Sequence, residues 1–147
     1  MVMRVQPGVY YIRNLETNGY LNPESGYSSA GRKIFLESWV QQGSLKWIVA
    51  YNSMNGTYWI KSYVSSQYYL VPGIPPSRAR PPQLELNDQA CPWVIADTPN
   101  GNGFFIVKGD EQDQVIEADA GGPGALLNDF NPSRAEKRQI WEFVAAQ

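Results

Sequence analysis

Short runs of alternating apolar and polar residues recur along the chain and predict β-strands. The clearest run, Gly8 to Arg13, reappears at Gly56 to Lys61 and at Gly103 to Lys108, spaced by 48 and 47 residues. Alignment of the three runs on their glycines puts apolar side chains on one face and a basic side chain on the other. The predicted core positions are Tyr10 and Ile12, Tyr58 and Ile60, and Phe105 and Val107, and the opposing basic residues are Arg13, Lys61 and Lys108.

A tryptophan in an apolar strand closes each copy of the pattern. These residues are Trp47, Trp93 and Trp141, spaced by 46 and 48 residues. Each copy holds two further short strand candidates between its opening strand and its tryptophan, so the chain is predicted to contain three units of four strands in one domain of residues 1–147. The units span residues 8–52, 56–99 and 103–145, and the inner strand candidates lie near 19–22, 34–39, 67–71, 83–87, 114–118 and 125–130.

The breaks between the runs favour tight turns and exclude helices. Asn-Gly pairs begin at residues 18, 55, 100 and 102, and such pairs supply the positive φ angles of short hairpin turns. No segment shows a sustained helical period, and the 11 prolines fit loops better than helices. Three units that close together into a barrel describe an all-β domain with pseudo-threefold symmetry, twelve strands in all.

On these repeats the sequence resembles the β-trefoil, and more narrowly the ricin-B-like lectins, particularly the small single-domain lectins of mushrooms. The resemblance covers nearly the whole chain. It implies a non-enzymatic, carbohydrate-binding protein that has glycans or glycoproteins as partners and needs no cofactor. In the family pattern each unit supplies an acidic residue in its second strand, an aromatic residue just after its third, and an Asn or Gln near the tryptophan of a Gln-x-Trp motif.

The third unit keeps most of this pattern. Its acid position is occupied by Glu117, where the family usually has Asp, and Gln139-Ile140-Trp141 is an intact Gln-x-Trp motif. A sugar offers a patch of C–H bonds and a ring of hydroxyls, which an aromatic ring and short polar side chains can bind. The resemblance therefore implies a sugar site formed by Glu117, Asp119, Asn128, Asp129, Phe130, Asn131 and Gln139.

The first unit is predicted to hold a weaker second site. It has Asn22 at the acid position and an aromatic residue, Trp39, after its third strand, but no glutamine before Trp47. Trp39 either stacks on a ligand or packs under the loop that follows it. The residues of this weaker site are Tyr20, Asn22, Glu37 and Trp39. The second unit departs furthest, because Pro72 follows its second strand in place of an acid and its third strand ends without an aromatic residue.

The second unit instead carries "PGIPPSRARPP", residues 72–82, which we call the proline-rich loop. Prolines restrict its backbone to extended conformations, and Arg78 and Arg80 project from it. β-Trefoil protease inhibitors present one rigid loop of this kind, so the alternative function is inhibition of a trypsin-like protease through Arg78 or Arg80. The loop could also be an inert connection. A third alternative is a trefoil that binds another protein through Trp39 and other exposed aromatic side chains.

Composition excludes several other functions. The net charge of −2 and the absence of a basic stripe argue against nucleic acid, and the absence of histidine removes the triads that need imidazole. The single cysteine, Cys91, is expected to be a buried thiol. No apolar run is long enough for a membrane span or a secretory signal, so we expect a protein that is cytoplasmic or exported without a cleaved signal peptide. Pairing into a homodimer would raise avidity without new contacts.

Overall fold

The computed structural model describes residues 5–26, 28–39, 43–75, 77, 80–131, 133 and 136–146. Within these residues the chain forms twelve strands, all paired antiparallel, and three short 3₁₀ turns at Glu24–Gly26, Gly43–Leu45 and Lys137–Gln139. The strands are β1 (Gly8–Asn14), β2 (Tyr20–Pro23), β3 (Ile34–Glu37), β4 (Lys46–Asn52), β5 (Thr57–Ser62), β6 (Tyr69–Pro72), β7 (Leu84–Asn87), β8 (Trp93–Asp97), β9 (Phe104–Lys108), β10 (Gln114–Ala118), β11 (Ala125–Asp129) and β12 (Trp141–Ala145).

Six strands close a barrel, and three hairpins cap one end of it. Around the barrel, β1 pairs with β4, β4 with β5, β5 with β8, β8 with β9, β9 with β12, and β12 returns to β1. The capping hairpins are β2–β3, β6–β7 and β10–β11, one from each unit. This arrangement is the β-trefoil predicted from the repeats, with the expected number of strands.

Three tryptophans join the barrel to the cap. Trp47, Trp93 and Trp141 are fully buried in the main core. Each indole N–H donates to a backbone carbonyl in the second strand of its own unit, at N–O distances of 3.0, 2.9 and 3.0 Å. Because a buried indole needs a hydrogen-bond acceptor, each bond fixes its capping hairpin against the barrel. The acceptors are the carbonyls of Leu21, Leu70 and Ile116.

A ring of backbone hydrogen bonds holds the three hairpins to one another. The N–H of Leu36 donates to Pro123 O at 2.7 Å, and the equivalent bonds run from Leu86 to Arg32 and from Leu127 to Pro82, both at 2.9 Å. Each bond joins one unit to the next around the pseudo-threefold axis. The proline-rich loop of the second unit is therefore attached at Pro82 to the β10–β11 hairpin of the third.

The third opening strand differs from the prediction by one residue. Tyr10 lies opposite Trp47 and Tyr58 opposite Trp93, but the residue opposite Trp141 is Phe104. Ile106 therefore occupies the main-core position of the other two units, and the alignment that put Phe105 and Val107 there was wrong. Lys108 therefore lies on the opposite face of its strand from the one that it was predicted to share with Arg13 and Lys61. The equivalent positions are Ile12, Ile60 and Ile106, all fully buried.

The cause is the place of the glycine in the turn before β9, which has the same length as the turn before β5. Gly103 occupies the place of Thr57, one residue nearer the strand than the glycine alignment assumes. A Cβ at Gly103 would come within 2.8 Å of both Ile140 Cγ2 and Trp141 O, and its φ is 149°, so this position requires glycine. Because of the shift, the side chains of Phe105 and Val107 point away from the main core and pack with Val115 and Ile140 in a separate small core outside the barrel.

Each tryptophan can be tested through its hydrogen bond. Trp93→Phe would remove the donor to Leu70 O and part of the ring volume, so we expect the free energy of unfolding to fall by about 2–4 kcal/mol. Trp47→Phe and Trp141→Phe should have similar effects because all three side chains make the same contact.

Trp59→Phe is the matched control. Trp59 is half-buried and its indole makes no hydrogen bond within the described residues, so the free energy of unfolding should fall by less than about 1 kcal/mol. Urea unfolding measures both; an equal cost at positions 59 and 93 would contradict the role of the bond.

Candidate functional site

Glu117 is the centre of a hydrogen-bonded network in the third unit. Gln139 Nε2 donates to Glu117 Oε1 at 2.8 Å, and Asn128 Nδ2 donates to Glu117 Oε2 at 2.9 Å. Gln139 Nε2 also donates to the backbone carbonyl of Asp129 at 2.9 Å. Both carboxylate oxygens are therefore held in place by neutral donors. A carboxylate fixed in this way keeps lone pairs with which it can accept further hydrogen bonds.

The strand register brings these side chains together. In the β10–β11 hairpin, Glu117 pairs with Leu126 and Val115 pairs with Asn128, so Glu117 and Asn128 share the face turned away from the main core. The 3₁₀ turn Lys137–Gln139 precedes Trp141 and carries Gln139 under this hairpin, where it is only 7% exposed. Both amide hydrogens of Gln139 are engaged, so this side chain orients Glu117 from below.

The other predicted residues of the third unit each make their own local contacts. Asp119 Oδ1 accepts from Gly121 N at 2.9 Å, and Asp129 Oδ1 accepts from Gln114 Nε2 at 2.8 Å. Asn131 is exposed, and its Oδ1 accepts from both the N–H and the hydroxyl of Ser133. The half-buried ring of Phe130 packs on Phe105, with centroids 4.8 Å apart. Phe130 is thus partly used by the small core.

The first unit has an exposed aromatic group but no equivalent network. The acid position holds Asn22, which is 3% exposed, and its Oδ1 has no hydrogen-bond partner among the described residues. The residue equivalent to Gln139 is Leu45, which cannot donate. Trp39 is 51% exposed and packs against Tyr11 and Tyr20, with centroid distances of 4.7 and 5.4 Å. The predicted Trp39 is therefore supported at the surface, Glu37 is exposed in the strand opposite Tyr20, and Asn22 is buried beneath them.

The second unit has an apolar residue at the acid position. Because Trp93 bonds to Leu70 O, the residue equivalent to Glu117 is Val71, and the prediction that assigned Pro72 was displaced by one residue. The equivalents of Gln139 and Phe130 are Cys91 and Gln89. Burial raises the pKa of the Cys91 thiol to about 11, nearby Lys108 opposes this shift, and Asp110 adds to it. Cys91 is buried as expected, and this unit contains none of the polar network.

Described residues of the proline-rich loop lie beside the Glu117 network. One open cleft of about 650 Å³ is lined by Glu117, Asp119 and Asn128 on one side and by the loop on the other. A second cleft of about 540 Å³ lies between the loop and the end of the β10–β11 hairpin that is away from its turn. The loop residues lining the first cleft are Ile74, Arg80 and Pro81. Of the two arginines predicted for an inhibitor loop, Arg80 is exposed, and Arg78 lies outside the described residues.

The proximity of these loop residues to the third unit was not predicted, because no local sequence signal relates residue 80 to residue 128. The signal in the chain was only the loop's length and its prolines.

Among the described residues, no group of three or more His, Cys, Asp or Glu side chains is arranged to hold a metal ion. The part of the chain that the structure describes also has no helix of the length and apolarity required to span a membrane.

Comparisons with known proteins agree with the fold. No family model and no curated protein matches the chain. Among solved structures, it is similar to the Rhizoctonia solani agglutinin (TM-score 0.84, 17% identity, 99% of this chain and 100% of that chain). It is also similar to a Macrolepiota procera ricin B-like lectin in complex with lactose (0.78, 16%, 97% and 99%) and to the designed threefold-symmetric protein ThreeFoil (0.79, 15%, 95% and 99%). These likenesses confirm the β-trefoil.

The network makes a prediction about stability. Gln139→Ala would leave the Asp129 carbonyl and one Glu117 oxygen, both in part-buried hydrogen bonds, without their donor, so the free energy of unfolding should fall by about 1–3 kcal/mol. Gln114→Ala, the same change at a side chain whose hydrogen bond to Asp129 is exposed, should cost no more than about 0.5 kcal/mol. Chemical denaturation compares the two variants. Equal losses would show that Gln139 is not a structural part of the network.

Proposed function

We propose that the protein is a non-enzymatic lectin that binds glycans at the Glu117 network of the third unit. The observation that carries this proposal is the oriented carboxylate: Glu117 receives hydrogen bonds from Asn128 and Gln139 and lines an open cleft. An oriented acceptor of this kind selects hydroxyl donors at defined angles, as sugar recognition requires. The similarity in fold to a lectin solved with lactose supports the proposal.

The residues of the site have different roles in this proposal. Glu117 accepts hydrogen bonds from sugar hydroxyls, and Asn128 and Asp119 line the same cleft and can bond to neighbouring hydroxyls. Gln139 acts through Glu117 as a positioning residue, since it is buried with both amide hydrogens engaged. Asp129, Asn131 and the free edge of Phe130 form the rim. The sugar's apolar face needs a surface that Phe130 alone, half-buried on Phe105, supplies only in part.

A second, weaker glycan site at Trp39 is also part of the proposal. Trp39 is half exposed and held from two sides by Tyr11 and Tyr20, so its ring is a pre-oriented stacking surface. Glu37 and Tyr20 add polar groups beside it. Asn22 is buried and can contribute only by orienting its neighbours. Two sites on one chain would allow binding to a glycan-covered surface with higher avidity than either site alone.

The main site is tested by Glu117→Gln, which keeps the size of the side chain and removes its charge. Glycan affinity, measured by a glycan array followed by titration calorimetry, should fall by about 10- to 100-fold because a charge-assisted hydrogen bond is lost. Glu16→Gln, an exposed glutamate in a turn of the first unit, is the control and should bind as the parent does. If glycan binding survives Glu117→Gln unchanged, the site lies elsewhere.

The second site is tested by Trp39→Ala. Calorimetry with the glycan identified on the array should show fewer binding sites per chain, with the affinity at the Glu117 site unchanged. Binding to a surface densely covered with that glycan should weaken by about tenfold or more through lost avidity. Met54→Ala removes another exposed apolar side chain far from any predicted site and serves as the control. A stoichiometry of one site per chain in both the parent and Trp39→Ala would dismiss the second site.

Inhibition of a trypsin-like protease stays the alternative prediction. This inhibition would require the proline-rich loop, to which Arg80 belongs. Arg78 lies outside the described residues. The attachment of Pro82 to Leu127 draws this end of the loop towards the third unit. We therefore favour a role for the loop in the glycan site.

A further inference from the structure

Arg80 stands at the junction of the two clefts that flank Asn128. Both clefts are lined by Arg80, Pro81 and Asn128, so the arginine and the amide mark a continuous surface. Two backbone contacts fix the loop beside the hairpin: Leu127 N donates to Pro82 O at 2.9 Å, and Gln83 forms a bridge with Leu126. The backbone just after Arg80 is therefore held beside Asn128 by main-chain contacts between the second and third units.

The acidic side chains that line the clefts all have other hydrogen-bond donors. Glu117 is held by Asn128 and Gln139, Asp119 by the N–H of Gly121, and Asp129 by Gln114. Lys33, the other cation of the first cleft, forms an ion pair with Glu85 at 3.0 Å. The guanidinium of Arg80 has no hydrogen-bond or ion-pair partner among the described residues, and the residue is exposed.

We propose that Arg80 binds an anionic group of the ligand, so that the site recognises glycans bearing a carboxylate or a sulfate next to the sugar held by Glu117 and Asn128. This inference rests on the proposed glycan site. The planar guanidinium can donate two parallel hydrogen bonds to either anion, which a neutral hydroxyl cannot match. The recognition element is therefore shared between two units of the fold.

The charges in the cleft also favour one orientation of such a ligand. Glu117 and Asp119 repel an anion placed near them, whereas Arg80 attracts it. Leu126, Ile74 and Pro81 supply apolar surface in the same cleft, and Ile74 is 86% exposed. These side chains can cover the C–H face of a sugar that Phe130 covers only in part. The cleft thus fits a neutral sugar at Glu117 joined to an acidic unit at Arg80.

The test uses an array on which neutral oligosaccharides stand beside sialylated and sulfated derivatives of the same cores. The parent protein should bind at least one acidic derivative about tenfold more tightly than its neutral core, as expected for one charge-assisted contact. Arg80→Ala should remove this difference and leave the neutral core within about twofold of the parent value. The sialylated and sulfated arms show which anion is preferred. The difference should also shrink at high salt.

Two further variants separate charge from geometry. Arg80→Lys keeps the positive charge without the paired donors, so it should retain only part of the preference. Lys61→Ala removes one positive charge from β5, away from both clefts, and should retain all of it. Circular dichroism confirms that each variant keeps the strand content of the parent.

The remaining outcomes decide against the proposal in distinguishable ways. Neutral and acidic glycans bound equally, with binding still dependent on Glu117, would overturn the role of Arg80 and keep the proposed function. A preference for acidic glycans that survives Arg80→Ala would assign the anion to another residue. No glycan binding at all would remove both proposals, and trypsin inhibition that Arg80→Ala abolishes would then assign the loop to a protease.

Discussion

The structure depends on three indole-to-carbonyl hydrogen bonds that fasten the capping hairpins to the barrel. Each bond joins the closing tryptophan of a unit to a carbonyl in that unit's second strand. Because the bond fixes both partners, it also fixes which side chains meet beside it. Two positions can be compared between the units on this basis: the residue after the accepting carbonyl and the residue two positions before the tryptophan. In the three units these pairs are Asn22 with Leu45, Val71 with Cys91, and Glu117 with Gln139.

The chemistry of each pair follows from this one constraint. Val71 and Cys91 are both buried and need no hydrogen bond. In the first unit the equivalent of Gln139 is Leu45, which cannot donate, and Asn22 Oδ1 is unsatisfied among the described residues. Only Glu117 faces a side chain that donates, and Gln139 also satisfies a loop carbonyl. The pseudo-threefold symmetry thus creates the same pair of positions in each unit. In the third unit, the side chains at these positions form a hydrogen-bonded network.

The sequence was sufficient to predict the fold, and the structure places some of the predicted site residues together, for reasons that differ by residue. Tryptophan spacing and period-two alternation are local signals, so strands, units and cap could be predicted. The register of β9 was mispredicted because the glycines were aligned: Gly103 takes the place of Thr57, whereas the tryptophan spacing of 46 residues puts Ile106 in the place of Ile60. The case of Val71 is different, because its equivalence to Glu117 is visible only through the Trp93 bond. The predicted site residues of the third unit cluster together, but their separate roles needed the hydrogen bonds.

The proline-rich loop illustrates how such a fold acquires an asymmetric surface. Its prolines limit the conformations of the free chain, so less entropy is lost when it takes up one position. Pro82 has no N–H to donate, but its carbonyl accepts from Leu127, in the place that Pro123 and Arg32 occupy in the other two inter-unit bonds. The loop therefore inserts new side chains without breaking the ring of bonds around the axis. An insertion at this position necessarily faces the hairpin of the next unit. For this reason a change in the second unit alters the surroundings of Glu117 and Asn128 in the third.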